Sequence, residues 1–112
     1  MAMFLSGSSA YQNPNPNRSD FAVEVKTVVA AGTPINPTTA VVPDGFAVVA
    51  RAKISNKNKV IYVAQSAADC ADATKRAELH AGDVLVLYLT DPALLFIDAN
   101  ANGAQVILTY EL

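Results

Sequence analysis

Tryptophan is missing from these 112 residues, cysteine and histidine occur once each, and charged side chains supply only 16% of the chain. Each scarcity excludes something. A single cysteine, Cys70, cannot close an internal bridge, so no disulfide framework is expected, and synthesis in a reducing compartment is. Its neighbours Ala68, Asp69, Ala71 and Asp72 would raise a thiol pKa rather than generate thiolate, so Cys70 reads as inert. With His80 alone, a multi-histidine metal site within one chain is excluded. General-base work at His80 would need an orienting carboxylate and a nucleophile, which adjacency to Glu78 and Asp83 does not establish. The five glycines are scattered singly, and no G-x-S-x-G, phosphate-loop or dinucleotide-binding pattern occurs. The sequence therefore reads as a non-enzyme without metal or other cofactor.

Basic patches are also lacking. A net charge of −2 speaks against neutralising phosphates, and the nearest thing to a cluster, Lys53, Lys57 and Lys59, flanks a predicted turn, so no nucleic-acid partner is expected. The longest strongly apolar run, Val84 to Leu89, falls far short of the ~20 residues a spanning helix needs, and no membrane partner is expected. Met1 to Leu5 carries no Lys or Arg and turns polar at Ser6-Gly7-Ser8-Ser9, which is not the pattern of an export signal. Asn17-Arg18-Ser19 fits a glycosylation sequon, a match with meaning only in a secreted chain.

Apolar residues, by contrast, reach 52%, while the charged share lies well under the usual quarter or so. A domain of this length buries roughly two thirds of its unfolded surface. Too little polar material is left to cover the remainder, so part of the surface is expected to lie under other protein.

Residues 1–19 read as an N-terminal arm, because Asn13-Pro14-Asn15-Pro16-Asn17 removes backbone donors and favours extended chain. Two forms fit it: a solvated tail, or an arm lying along a neighbouring subunit, for which Phe4, Leu5 and Tyr11 are the contact candidates. Residues 20–112 read as one β-sandwich domain. From Phe21 the chain alternates, with Phe21, Val23, Val25, Thr27 and Val29 against Ala22, Glu24, Lys26 and Val28, the period of a half-buried strand. A short strand is predicted at Thr39 to Val42, then a turn at Pro43-Asp44-Gly45. Phe46, Val48, Ala50, Ala52 and Ile54 form the inward set of the next strand, and Asn56-Lys57-Asn58 a hairpin connection.

Lys59 to Ser66 is the strongest short strand signal and is apolar on both sides: Ile61 and Val63 oppose Val60, Tyr62 and Ala64. Val84 to Leu89 and Ala93 to Ile97 repeat that two-sidedness, which calls for a second layer or a subunit interface. Val60, Tyr62 and Ala64 are thus the candidate interface residues of the fold itself. Ser66 to Gly82 is open between a short helix, capped at Ser66 with Asp69, and an irregular loop. Val106, Leu108, Tyr110 and Leu112 alternate with Ile107, Thr109 and Glu111 in the last strand, and the chain is expected to end inside the fold. About seven short, antiparallel strands make an all-β sandwich or jelly roll.

Two local patterns invite chemistry. Asp98-Ala99-Asn100-Ala101-Asn102-Gly103 opens like a calcium loop, but the twelfth position is Thr109 where a bidentate Glu is needed, and a plain hairpin turn is the expectation. Tyr62 and Tyr88 could stand side by side on neighbouring strands as a sugar platform, or pack in the core or an interface.

The segment Val42 to Leu112 resembles small β-sandwich modules of tailed-phage virions, found in head-decoration (cement), fibre and tail-associated proteins. The matching pieces are Val42-Pro43-x-Gly45 leading through Arg51-Ala52, Ile61-Tyr62-Val63, Leu79-x-Ala81-Gly82-Asp83, Val84 to Leu89, Leu95-Phe96-Ile97-Asp98-Ala99 and Val106 to Glu111. Two departures are Ala64, where such modules often carry Gly, and a connecting loop poorer in glycine. The resemblance implies a virion structural protein, made in the host cytoplasm, without enzyme activity. A capsid decoration protein that stabilises the head is the first expectation. Its partners would be sister copies, in a homo-oligomer such as a trimer, and the major capsid protein or another virion protein. The alternative is a carbohydrate- or receptor-binding module of a tail or fibre.

Overall fold

A computed structural model describes residues 21–37, 46–89 and 94–111. The arm, the strand predicted at 39–42 and the turn at 43–45 lie outside the described residues. Seven strands form two antiparallel sheets. The larger sheet runs β1 (Phe21–Val28), β7 (Ala104–Glu111), β2 (Phe46–Ala52), β5 (Val84–Leu89), and the smaller runs β4 (Ala77–Leu79), β3 (Ile61–Ala64), β6 (Phe96–Ala99). An isolated bridge, Ile35 with Ile97, adds a rudimentary strand beside β6. With that bridge counted, the chain alternates between sheets at every step except β3 to β4. The orders β1-β7-β2-β5 and Ile35-β6-β3-β4 are those of a jelly roll.

Alternation puts Val48, Ala50 and Ala52 of β2 and Val106, Leu108 and Tyr110 of β7 on the inner face of the larger sheet, all fully buried. Ile61, Val63, Leu79, Leu95 and Ile97 meet them from the other side. Leu85 and Leu87 of β5 pack against the same core, so the two-sided pattern of that strand has one face inside.

Several connections differ from the sequence reading. Ile54 leaves the core: it begins a single 3-10 turn, Ile54–Asn56, and is largely exposed. Residues 56–58 therefore carry the chain from one sheet to the other rather than closing a hairpin. Asn56 is what holds this crossing, since its side-chain amide donates to the Gln105 carbonyl (2.9 Å) and its side-chain oxygen accepts from the Gln105 N–H (2.8 Å). In effect Asn56 extends β2 along β7 by one false residue.

Residues 98–103 likewise join β6 to β7 in different sheets, so this loop is no hairpin either. Its polar side chains are spent on backbone donors of three separate segments: Asn102 Oδ1 accepts from Ala31 N–H (2.7 Å), Asp98 Oδ1 from Gly32 and Ala99 N–H, and Asn100 Oδ1 from Val60 N–H (2.8 Å). Gly103, at φ +86°, turns the chain into β7 and gives its N–H to the Val28 carbonyl. The oxygens that a calcium loop aims at one point here diverge.

The open segment 66–82 holds one turn of helix and, beyond it, a short strand that neither alternative included. Ser66 Oγ accepts from Asp69 N–H (3.1 Å) and caps a helix of one turn, α1 (Ala67–Cys70), after which β4 pairs with β3. A row of alanines offers too little apolar area to extend α1 further.

Asn56→Ala removes both bonds to Gln105 and leaves the Gln105 N–H without that partner, while the Gln105 carbonyl keeps the bond from the Lys53 N–H (3.2 Å). Urea unfolding should show a loss of about 2–4 kcal/mol with an unchanged m value.

A candidate protein-interaction face

A half-buried strand ordinarily hides its apolar set, and β1 does the reverse. Its outward residues are Phe21, Val23, Val25 and Thr27, all exposed, while Ala22, Glu24 and Lys26 face inward and are half-covered. Pairing with β7 causes this. The register sets Ala22 against Tyr110, Glu24 against Leu108 and Lys26 against Val106, and opposed residues share a face. Because β7 must bury Val106, Leu108 and Tyr110, β1 has no choice of side. Glu24 also accepts a hydrogen bond from the Tyr110 hydroxyl (3.0 Å), which satisfies the one polar atom of a buried ring. A slip of one residue would hide the valines but expel Val28 and strand that hydroxyl.

The outer face of the larger sheet consequently carries apolar side chains on every strand, interrupted by Arg51 and Thr109. Following the register, one row reads Val25, Ile107, Arg51, Val84 and the next Val23, Thr109, Val49, Val86. Phe21 and Tyr88 lie beyond at the two edge strands. The exposed apolar members range from 49% accessible at Val86 to 72% at Tyr88. With strands about 4.8 Å apart, the rows cover a few hundred Å², as much as the largest patch on an ordinary monomer. Arg51, exposed among them, is the kind of side chain that anchors protein contacts.

The candidates taken from β3 sit differently. Val60 and Tyr62 are half-buried and Ala64 is buried. Over the Tyr62 ring lies the Arg76 guanidinium, 3.6 Å from its centroid. Arg76 also donates to the Cys70 carbonyl (2.9 Å) and to Glu78 Oε2 (3.1 and 3.0 Å), so it pins the α1 loop across the outer side of β3. The loop thus covers one side of the Tyr62 ring, while Val60 and Tyr62 both keep part of their surface exposed. Phe4, Leu5 and Tyr11 lie outside the described residues. Tyr62 and Tyr88 are on different sheets, which overturns the side-by-side platform: β3 neighbours β4 and β6, whereas β5 neighbours β2.

Cys70 is fully buried beneath the same loop, and burial, reinforced by Asp98, pushes its thiol pKa upward despite Arg76. His80 is exposed and contributes through its backbone: its N–H donates to Asp83 Oδ2 and its carbonyl accepts from Asp83 N–H in the turn before β5. Among the described residues, no three His, Cys, Asp or Glu side chains gather as a metal would require, and no helix is long and apolar enough to cross a membrane.

The chain matches no protein-family model, no curated protein and no solved structure.

Two outcomes test this geometry. Val23→Lys should change stability by no more than about 0.5 kcal/mol, whereas Val28→Lys, five positions on, should cost more than about 4 kcal/mol or prevent folding. Reversed penalties would mean that β1 presents its other face. Native Cys70 should resist a thiol reagent at pH 8 and react at once in denaturant; immediate labelling of the folded protein would contradict its burial.

Proposed function

We propose that the protein is a structural component of a phage virion, a capsid decoration protein that binds the shell as an oligomer and stabilises it by added contact area. The observation that carries this reading is the apolar outer face of the four-stranded sheet, built by a framework that has no evident use for it in folding. The resemblance to phage virion modules supplies the setting, with sister copies and the major capsid protein as partners.

Magnitudes decide how such a face would work. At ~25 cal/mol per Å², hiding about 400 Å² is worth roughly 10 kcal/mol, close to the 4–15 kcal/mol that association costs. One contact alone is marginal. Repeated through linked copies on a lattice, the same contact becomes firm, because each later binding event is effectively intramolecular. A surface of weak, identical patches therefore suits a protein that acts in large numbers.

A second reading rests on Tyr88, whose 72% exposure is that of a ring able to stack on a ligand. It makes the protein a carbohydrate- or receptor-binding module of a tail or fibre.

Purified particles should contain the chain in many copies, and Val86→Asp combined with Tyr88→Asp should lower its occupancy about tenfold or more while preserving the circular-dichroism spectrum. Particles free of the chain would sink the virion assignment, and full occupancy by the double variant would remove this face from it. Glycan binding abolished by Tyr88→Ala in a folded protein would favour the second reading.

A further inference from the structure

β1 is the outermost strand of its sheet, and among the described residues it pairs with β7 alone. An open edge offers a row of backbone N–H and C=O groups to any extended chain, and stable monomers blunt such edges with proline, a bulge or an isolated lysine. β1 carries neither of the first two. Its sequence FAVEVKTV has no proline, and its partners run in unbroken register from Phe21 with Glu111 to Val28 with Ala104. Its lysine is not isolated, since Glu24 stands two residues before Lys26 on the same side.

That pair has a self-complementary spacing. Across a continuous antiparallel sheet, opposed residues must lie on the same face, so two copies of β1 can meet only in registers that differ by steps of two. Four of these pair at least five of the eight residues, and the one centred on Val23 sets Glu24 opposite Ala22, with no charge pairing and a shorter junction. Centred on Glu24, the two glutamates confront each other. Centred on Lys26, the two lysines do. Centred on Val25, Glu24 of each copy opposes Lys26 of the other, Val23 opposes Thr27 and Ala22 opposes Val28. Opposite charges directly across a sheet attract and like charges repel, so the charge pattern selects the register centred on Val25 against its neighbours.

We propose that β1 is a self-pairing edge: two copies join antiparallel about a two-fold axis at Val25, fusing two four-stranded sheets into one of eight strands. The side chains on both faces support the junction. Glu24 and Lys26 are half-buried, which strengthens their cross-strand attraction relative to a fully wet pair. Glu24 keeps its bond from the Tyr110 hydroxyl, because a carboxylate takes more than one donor. On the outer face, the exposed Val25 of each copy meets its twin at the axis, flanked on each side by Val23 of one copy across from Thr27 of the other. The pairing leaves β5, with Val84, Val86 and Tyr88, at the far ends of the joined sheet and open to other partners. This inference does not depend on the virion reading.

Sedimentation of the full-length chain over a range of concentrations tests it. A reversible dimer is expected, and Lys26→Glu or Glu24→Lys, each of which sets like charges opposite twice, should weaken it about tenfold or more. Mixing the two variants in equal amounts should restore dimers, since an acid strand and a basic strand then meet. Val25→Lys alters an exposed residue and carries the test should Glu24→Lys not fold, and Val25→Cys should oxidise to a covalent dimer where Val86→Cys does not. A chain that stays monomeric at every concentration, a trimer, or a dimer indifferent to Lys26→Glu and Val25→Lys would overturn the proposal.

Discussion

The pairing of β1 with β7 governs more of this molecule than any other contact. β7 has the most demanding inner face in the fold, with Val106, Leu108 and Tyr110 all inaccessible to solvent, and its neighbours must accept the parity this sets. For β2 the demand costs nothing, because Val48, Ala50 and Ala52 are apolar too. For β1 it places a glutamate and a lysine toward the sandwich and a phenylalanine and two valines toward solvent. The edge position makes that tolerable: Glu24 and Lys26 are only half-covered, so neither charge is stripped of water, and Glu24 satisfies the Tyr110 hydroxyl. An unusual exposed surface thus follows from an ordinary rule about sheet registers.

The jelly-roll order explains why polar loop residues matter as much as apolar ones. Nearly every connection crosses from one sheet to the other, so the loops lack the ladder of a hairpin to hold them. Asn56 substitutes for that ladder on one crossing, and Asp98, Asn100 and Asn102 on another, each accepting or donating to backbone groups far away in sequence. Arg76 serves the excursion between β3 and β4 through Cys70, Glu78 and the Tyr62 ring.

Strand positions were legible because period two is a local property: β2, β3, β5 and β7 stand where alternation or a dense apolar run places them. Facing was legible for β2 and β7, whose apolar sets are the buried ones, but not for β1, where the register with β7 turns Phe21, Val23 and Val25 outward. Connections were misread for a related reason. Asn and Gly mark a reversal of the chain without saying whether the next strand returns to the same sheet. β4 was hidden because Ala77-Glu78-Leu79 is too short to show a period, and it exists through its pairing with β3. Of the interaction candidates, Tyr62 was singled out on apolar neighbours alone, and no local pattern announces that an arginine fourteen positions later will cover its ring.

The union of the first and last described strands also sets the order of events when the chain is made. β1 emerges from the ribosome early, yet its partner consists of residues 104–111, so its hydrogen-bonding groups must wait through the synthesis of nearly everything between. Throughout that interval Phe21, Val23 and Val25 remain on an unpaired strand suited to meeting another of its kind. Contacts this distant close slowly, and the nascent chain is most prone to aggregate before they do. Crowded synthesis on one message would therefore bring such strands together before their native partner exists.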